Sequence, residues 1–499
     1  MSAPAVVVIG GGAGGLAAAI RLAVAGAQVT LLEQAETVGG KIGEHRDAGF
    51  RWDTGPSVVT MRHVLEELAT AAGTRLADEL ELVPIEPITR YLWEDGTELD
   101  LSADPERSVA AIRAIAPEDV DGWRAFLDHV RRLHAVTGEA FIYGDPPGIG
   151  TVRRIPLREA LILEPWRTMD GVIGRYLRSP YLRQVAGRFA TYVGASPYSA
   201  PAALNVIAHV ELNEGVWYPR GGLRAIATML ERLALRHGVT IRTGARVISI
   251  EVRDGRVTGV RLADGSRLAA DAVVANVDAA TVAGELLAPG ILPGRRVRSL
   301  RDGRTSLSGL VLLLGVRGTT PRLAHHTICF SPDYPAEFRS LFRDGRPAAR
   351  PTVYIALTAR TDPEHAPPGD ENWFVLVNAP ALGPGFAWTP EAVAEERARV
   401  LARLGAFGLD PDGRIAVEHV ATPADLARAT GAWKGALYGR SSNEAFSAFR
   451  RAPNRSPDVR GLYLCGGTSH PGGGVPMVLL SGRRAARLAA GDLGLSGPR

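Results

Sequence analysis

The tightest constraint on this chain is Gly10-Gly-Gly12-Ala-Gly-Gly15, which follows the apolar run Ala5–Ile9 and opens the segment Leu16–Ala25. Strand, glycine-rich turn and helix in that order predict a dinucleotide cradle. Gly10 permits the tight turn, Gly12 lets the backbone approach a pyrophosphate, and Gly15 lets helix and strand pack closely. The phosphate then meets unpaired N–H groups and the positive end of a helix. A second strand, Gln28–Glu33, ends in Glu33, placed to accept hydrogen bonds from an adenosine ribose.

FAD and NAD share this fingerprint, and the next motifs separate them. Gly39-Gly40-Lys41 follows the ribose acid and extends the phosphate cradle, as a larger cofactor requires. Gly55-Pro56-Ser57 reads as a rigid turn laid against a ring system. With no second GxGxxG, no NADPH domain is expected, and FAD is the cofactor this order of motifs implies.

At 499 residues the chain is long enough for two well-packed domains. A formal charge of +4 gives a nucleic-acid role no support. Cys329 and Cys465 lie too far apart for a CxxC motif, and His325-His326 lacks further ligands at metal spacing, so no metal site is expected. No basic segment with a cleavable apolar stretch precedes Ala5, and no apolar run approaches the ~20 residues of a membrane span. The expected placement is cytoplasmic, with contact to a membrane surface only.

The pattern along the chain predicts an α/β protein with a Rossmann-like FAD-binding domain interleaved with a mixed α+β substrate domain. FAD-binding parts are expected at 1–105, 216–300 and 436–499. Substrate and lid helices are expected at 106–215, and a substrate-domain sheet at 301–435. Trp123, Phe126, Leu127, Val130 and Leu133 mark one face of a helix near Asp121–Val136. Asp254-Gly255 predicts a hairpin turn between Arg246–Val252 and Arg256–Leu262. Leu310–Val316 reads as a buried strand, and Thr389–Leu404 as a helix. Between Arg153 and Arg188, eight arginines face three acids and are interleaved with aromatic and apolar residues. That mixture suits an anionic lipid surface, or a lid whose arginines face water.

Further motifs carry a resemblance. Trp217-Tyr-Pro-Arg-Gly-Gly-Leu223, Asn276-Val-Asp278, Leu437-Tyr-Gly-Arg-Ser-Ser-Asn443 and Gly466-Gly-Thr-Ser-His-Pro-Gly-Gly-Gly-Val-Pro-Met477 resemble the bacterial carotenoid desaturases of the flavin amine oxidase superfamily. Gly55-Pro-Ser-Val-Val-Thr-Met61 is most similar to the hydroxycarotenoid 3,4-desaturase branch. The resemblance implies that Gly466, Gly467, Gly473, Gly474, Val475 and Pro476 close over the pyrophosphate and flavin, and that the Val247 backbone meets the adenine. Ser469-His470-Pro471 stands where the amine oxidases carry an aromatic pair, which argues against amine oxidation.

The implied activity is desaturation of an apolar polyene, a carotenoid, with hydride passing to flavin N5 and reduced flavin passing electrons to oxygen or a membrane quinone. The cation left beside a conjugated chain is acidic enough for a weak base or water. His470 and Glu214 are the candidate bases, against plain structural roles for both. Carotenoid isomerase, carotenoid oxidase, amine oxidase as a minor reading, and carotenoid-binding protein remain as alternatives.

Overall fold

The computed structural model describes residues 3–144, 161–444 and 451–495. A five-stranded parallel sheet is assembled from three distant stretches of chain, in the order Leu462–Leu464, Ala272–Ala275, Ala5–Ile9, Gln28–Leu32 and Thr240–Arg242. Strands such as Val6-Val-Val-Ile9 and Ala272-Val-Val-Ala275 are apolar at every position because both faces are covered. Helices Ala13–Val24, Arg224–Arg236 and Val475–Asp492 share one core with this sheet. Small residues decide how close they come. A Cβ on Gly482 would overlap the Gly14 carbonyl, and Ala17, Ala18, Ala485, Ala486 and Ala489 are all buried. The sheet's other face packs on Val247–Arg253, Arg256–Leu262 and Arg267–Ala269. Asp254 and Gly255 both take left-handed φ (49° and 71°) in the hairpin, as the turn signal predicts.

A second sheet has seven strands in the order Ile415–Ala421, Ser308–Val316, Glu371–Ala379, Val353–Leu357, His326–Cys329, Thr89–Leu92 and Glu98–Leu101. Its strands obey the two-residue alternation of a pleated ribbon. Leu310, Leu312 and Leu314 pack with Val353, Ile355, Val375 and the helix residues Val400 and Leu404. Val311, Leu313, Tyr354, Phe374 and Leu376 face the other way, onto a cavity. The helix covering the first face, Pro390–Ala406, is capped by the Thr389 hydroxyl accepting from the Ala392 N–H.

Helices Val120–Thr137, Met169–Tyr176, Pro180–Gly187 and Val206–Leu212 form a third layer. Trp123, Phe126, Val130 and Leu133 of the expected stripe are buried and Leu127 is half-buried, so the stripe is core packing. The basic segment is less of a surface than its composition suggests. Arg153, Arg154 and Arg158 lie outside the described residues. Arg167 and Arg175 pair with Glu164, and Arg183 pairs with Asp170. Arg188 is buried, held by Glu211, Tyr91 and Tyr192. Its neighbours along the chain do not reveal a partner 23 residues away. No helix among the described residues is long and apolar enough to cross a membrane.

Candidate active site

The glycine-rich turn ends at Gly12, the N-cap of helix Ala13–Val24, which supplies no side-chain hydrogen bond. The first-turn N–H groups are therefore left for a ligand, at the positive end of the helix. Gly10 has φ 93°, and a Cβ there would lie 2.7 Å from the Asn276 carbonyl oxygen. A Cβ on Gly15 would overlap the Gly10 carbonyl, so Gly15 serves helix-to-strand packing and is not among the cavity residues. The Glu33 carboxylate accepts from the N–H groups of Gly11 (2.7 Å) and Ala35 (2.8 Å). Each oxygen retains a lone pair for another donor.

The second glycine pair lies directly against the first. Gly39 donates to the Gly11 carbonyl at 2.9 Å, and Gly39 and Gly40 both take positive φ (122° and 58°). Arg224 reaches the Val38 carbonyl from helix Arg224–Arg236. Lys41 donates to the Leu437 carbonyl at 2.8 Å, a bridge of 396 residues, and burial lowers its pKa. A Cβ on Gly55 would overlap the Lys41 carbonyl, so the turn at Pro56 and Ser57 lies flat on the cradle. Ser57 accepts from the Tyr354 hydroxyl at 2.7 Å, and that hydroxyl also meets His326 Nδ1 at 2.8 Å.

The C-terminal glycine segment closes the opposite side. Asn276 donates to the Gly10 carbonyl at 3.1 Å, and a Cβ on Gly466 would lie 2.6 Å from its Oδ1. Gly474 (φ 106°) begins helix Val475–Asp492, which has Pro476 in its first turn and no side-chain cap. Two uncapped helix N-termini thus face one space.

That space is a cavity of about 2060 Å³. Gly10, Gly12, Glu33, Gly39, Gly40, Lys41, Gly55, Pro56, Ser57, Val247, Gly466, Gly467, Gly473, Gly474, Val475 and Pro476 all line it. It continues onto Val311, Leu313, Ile328, Phe374 and Leu376 of the seven-stranded sheet and onto Leu204, Val206, Ile207 and Val210 opposite. Pockets for one small ligand occupy ~300–1,000 Å³, so this volume has room for a dinucleotide and a long apolar ligand together. The donor set fits FAD: two helix N-termini for anionic groups, an acid at ribose distance along the chain, and a cradle that Cβ atoms would fill.

The two candidate bases are placed differently. His470 lines the cavity, but burial and the nearby Arg484 and Arg451 push its pKa down to about 3. Its carbonyl accepts from Asn454 (2.9 Å) and Ser481 (2.7 Å), which makes it a brace of the C-terminal loop. Glu214 is not among the cavity residues and lies instead beside His63 and His209. His325-His326, read from sequence as surface or core, is buried. His326 lines the cavity, and burial holds its pKa well below the usual imidazole range.

Several lining residues carried no recognisable signal. Arg188, Tyr192, His326 and Tyr354 are brought together by sheet pairing and helix packing between segments over 100 residues apart. Asn276 was visible as part of Asn276-Val-Asp278, but its position beside Gly10, Gly12 and Gly466 emerges only from the parallel pairing of Ala5–Ile9 with Ala272–Ala275.

Comparison with known proteins agrees with this geometry. The family model for flavin containing amine oxidoreductase matches residues 13–490. A 4,4'-diapolycopene oxygenase of Methylomonas sp is 37% identical over 492 residues, covering 98% of each chain. A 4,4'-diaponeurosporene oxygenase of Staphylococcus aureus is 34% identical over 488 residues, 96% of this chain and 97% of that one. The structure of putrescine oxidase with putrescine bound superposes with a TM-score of 0.65 at 16% identity, covering 98% of this chain and 99% of that chain, a likeness of fold. The chain belongs to the flavin-containing amine oxidoreductase family, as an FAD-dependent oxidoreductase of its carotenoid desaturase-like branch.

Proposed function

We propose that the protein oxidises a carotenoid near one end of its polyene, in the space between the cofactor cradle and the apolar face of the seven-stranded sheet. The observation that carries this reading is the continuity of the cavity, from the glycines of the cradle to Leu313, Phe374 and Leu376. FAD, when bound, supplies the hydride acceptor. The cofactor residues anticipated from the sequence are assigned to holding it, with Gly15 acting through helix packing.

The remaining chemistry belongs to the chain. The sheet face and the wall of Leu204, Ile207 and Val210 align the polyene. The uncapped N-terminus of helix Val475–Asp492 favours negative charge on the group it faces. His470 and Glu214 are not assigned as bases, the first for its low pKa and the second for its position. Proton loss from a carbon beside a delocalised cation needs no strong base, so water in the cavity suffices.

The 3,4-desaturation of a hydroxycarotenoid rests on local motif likeness. The near-full-length relatives are named as oxygenases, which favours converting a C–H to a C–OH over new unsaturation: hydride would be given up to the bound flavin, and water would add to the resulting cation and lose its proton. Electrons then leave to oxygen or a membrane quinone. A membrane surface is the proposed source of substrate. Leu163 and Pro165 line the cavity, while Leu161 and Trp166 beside them are 55% and 66% exposed next to Arg167 and Arg175.

Incubation of the flavoprotein with acyclic carotenoids, followed by mass analysis, separates the chemistries. Gain of oxygen marks an oxygenase, loss of a hydrogen pair with a red-shifted spectrum marks a desaturase, and unchanged mass marks an isomerase. Recovery of every carotenoid unaltered would sink the proposal.

A further inference from the structure

Outside the residues that line the cavity, three imidazoles converge on one carboxylate. His134 lies in the last turn of helix Val120–Thr137, and His209 lies in helix Val206–Leu212. Glu214 follows that second helix, just before Gly215 at φ 90°. The His134 and His209 rings have centroids 4.5 Å apart. His209 Nε2 is 3.6 Å from Glu214 Oε1, and one ligand atom from each of the three residues lies within 4.8 Å of the others. His63, from the first turn of helix Arg62–Ala71, brings Nδ1 to 3.9 Å from Glu214 Oε2. Its Nε2 meets the Tyr143 hydroxyl at 2.9 Å.

Protein groups alone leave this set incomplete. His134 Nε2 is buried with no hydrogen-bond partner. Among the described residues, Glu214 has only imidazoles, and no arginine or lysine, at ion-pair distance. A part-buried carboxylate with no arginine or lysine beside it lacks a permanent positive partner to offset its desolvation.

We propose that His134, His209 and Glu214 bind a divalent transition-metal ion of the zinc class, with His63 as the fourth ligand. Two or three imidazole nitrogens with one carboxylate oxygen are a donor set that suits zinc. Tetrahedral bonds of ~2.0–2.2 Å place ligand atoms ~3.4 Å apart, so the 3.6 Å pair is already at that spacing and the others close by side-chain rotation. The Asn213 side-chain amide sits 2.7 Å from His209 Nδ1. Turned to present its oxygen, it accepts the Nδ1 proton and leaves Nε2 for the ion, the arrangement that orients ligating histidines.

The role follows from where the ligands come from. Thr137, Val206 and Val210 belong to the same two helices as His134 and His209 and line the cavity. His63 stands on a helix of the dinucleotide-side core. The ion fastens the substrate wall to that core, and every ligand position is filled by protein, as in structural zinc sites. Sequence spacing hides the site, because its four residues span 63 to 214 with no paired motif.

The test uses the untagged full-length protein, expressed with added zinc and dialysed. Elemental analysis is expected to give about one zinc per chain, and exchange with Co²⁺ to give the intense visible bands of a tetrahedral site. His209→Ala and Glu214→Gln should each lower zinc content at least ~10-fold while bound FAD is retained. His419→Ala, in the separate cluster of His45, Asp47 and His419, should leave it unchanged. Should the variants fail to fold, wild-type protein stripped with a chelator should melt lower and recover its melting temperature with Zn²⁺ alone. Wild-type protein with background zinc and no zinc-dependent melting overturns the proposal. So does zinc retained by both variants, or zinc lost on His419→Ala.

Discussion

Replacing Gly12 by alanine separates cofactor binding from folding. Gly12 has φ −67° and ψ 168°, a conformation open to any residue, so the backbone itself does not resist the change. The new Cβ would lie 2.9 Å from Asn276 Nδ2, the end of a side chain able to shift. Losing glycine at the N-cap costs roughly 1 kcal/mol at most, and weakening the Asn276 bond to the Gly10 carbonyl adds about 1 kcal/mol. The apoprotein should therefore melt only ~2–4 °C lower. The pyrophosphate, in contrast, is expected to meet the backbone at Gly12, and a methyl group there pushes it off the first-turn N–H groups. Losing even one charge-assisted bond costs about 1.5–3 kcal/mol, and losing two weakens FAD binding at least ~100-fold. Gly15→Ala should behave in the opposite sense, because its Cβ would overlap the Gly10 backbone and force the helix away from the strand. Flavin content after purification and FAD titration of the apoprotein measure the first effect, and melting measures the second. Gly12→Ala protein with wild-type FAD affinity would refute the placement of the pyrophosphate.

Other consequences follow from buried polar groups. Arg188→Met strands Glu211 in the interior and should destabilise by about 3–5 kcal/mol, while the double change with Glu211→Leu should recover most of it, read by chemical denaturation. Tyr354→Phe removes the hydroxyl shared by Ser57 and His326 and should cost about 1–3 kcal/mol in melting analysis, with FAD still bound. His325 and His470 both have pKa values pushed down from 6.5 to about 3, so the unfolded chain takes up protons that the folded one refuses. Stability should be full above pH 6.5 and fall as pH drops toward 3, by up to ~2.7 kcal/mol per pH unit from these two residues. A denaturation series showing a flat profile over that range would contradict the burial of these rings.

The cradle was legible because its chemistry is local. Gly10 to Gly15, Glu33 and Gly39-Gly40 act through backbone shape and short-range spacing, which a sequence displays directly. The hairpin at Asp254-Gly255 and the strand around Leu310–Val316 were equally plain, from turn residues and apolar runs. The substrate end was not, because no local pattern encodes it. Arg188 ends an arginine-rich run of sequence, and only packing against Glu211 and Tyr91 turns it inward. His326 looked like half of an idle pair until strand pairing set it beside Tyr354. Glu214 stood next to a recognisable motif, yet the end of its helix carries it away from the cavity and toward His209.

The central claim is that one cavity holds flavin and polyene together. It is tested most directly by adding acyclic carotenoids to the purified flavoprotein without oxygen and following flavin absorbance. Loss of the oxidised-flavin spectrum together with an oxidised polyene product is the expected result. Flavin that stays oxidised with every carotenoid offered, in protein shown to bind them, would contradict the account.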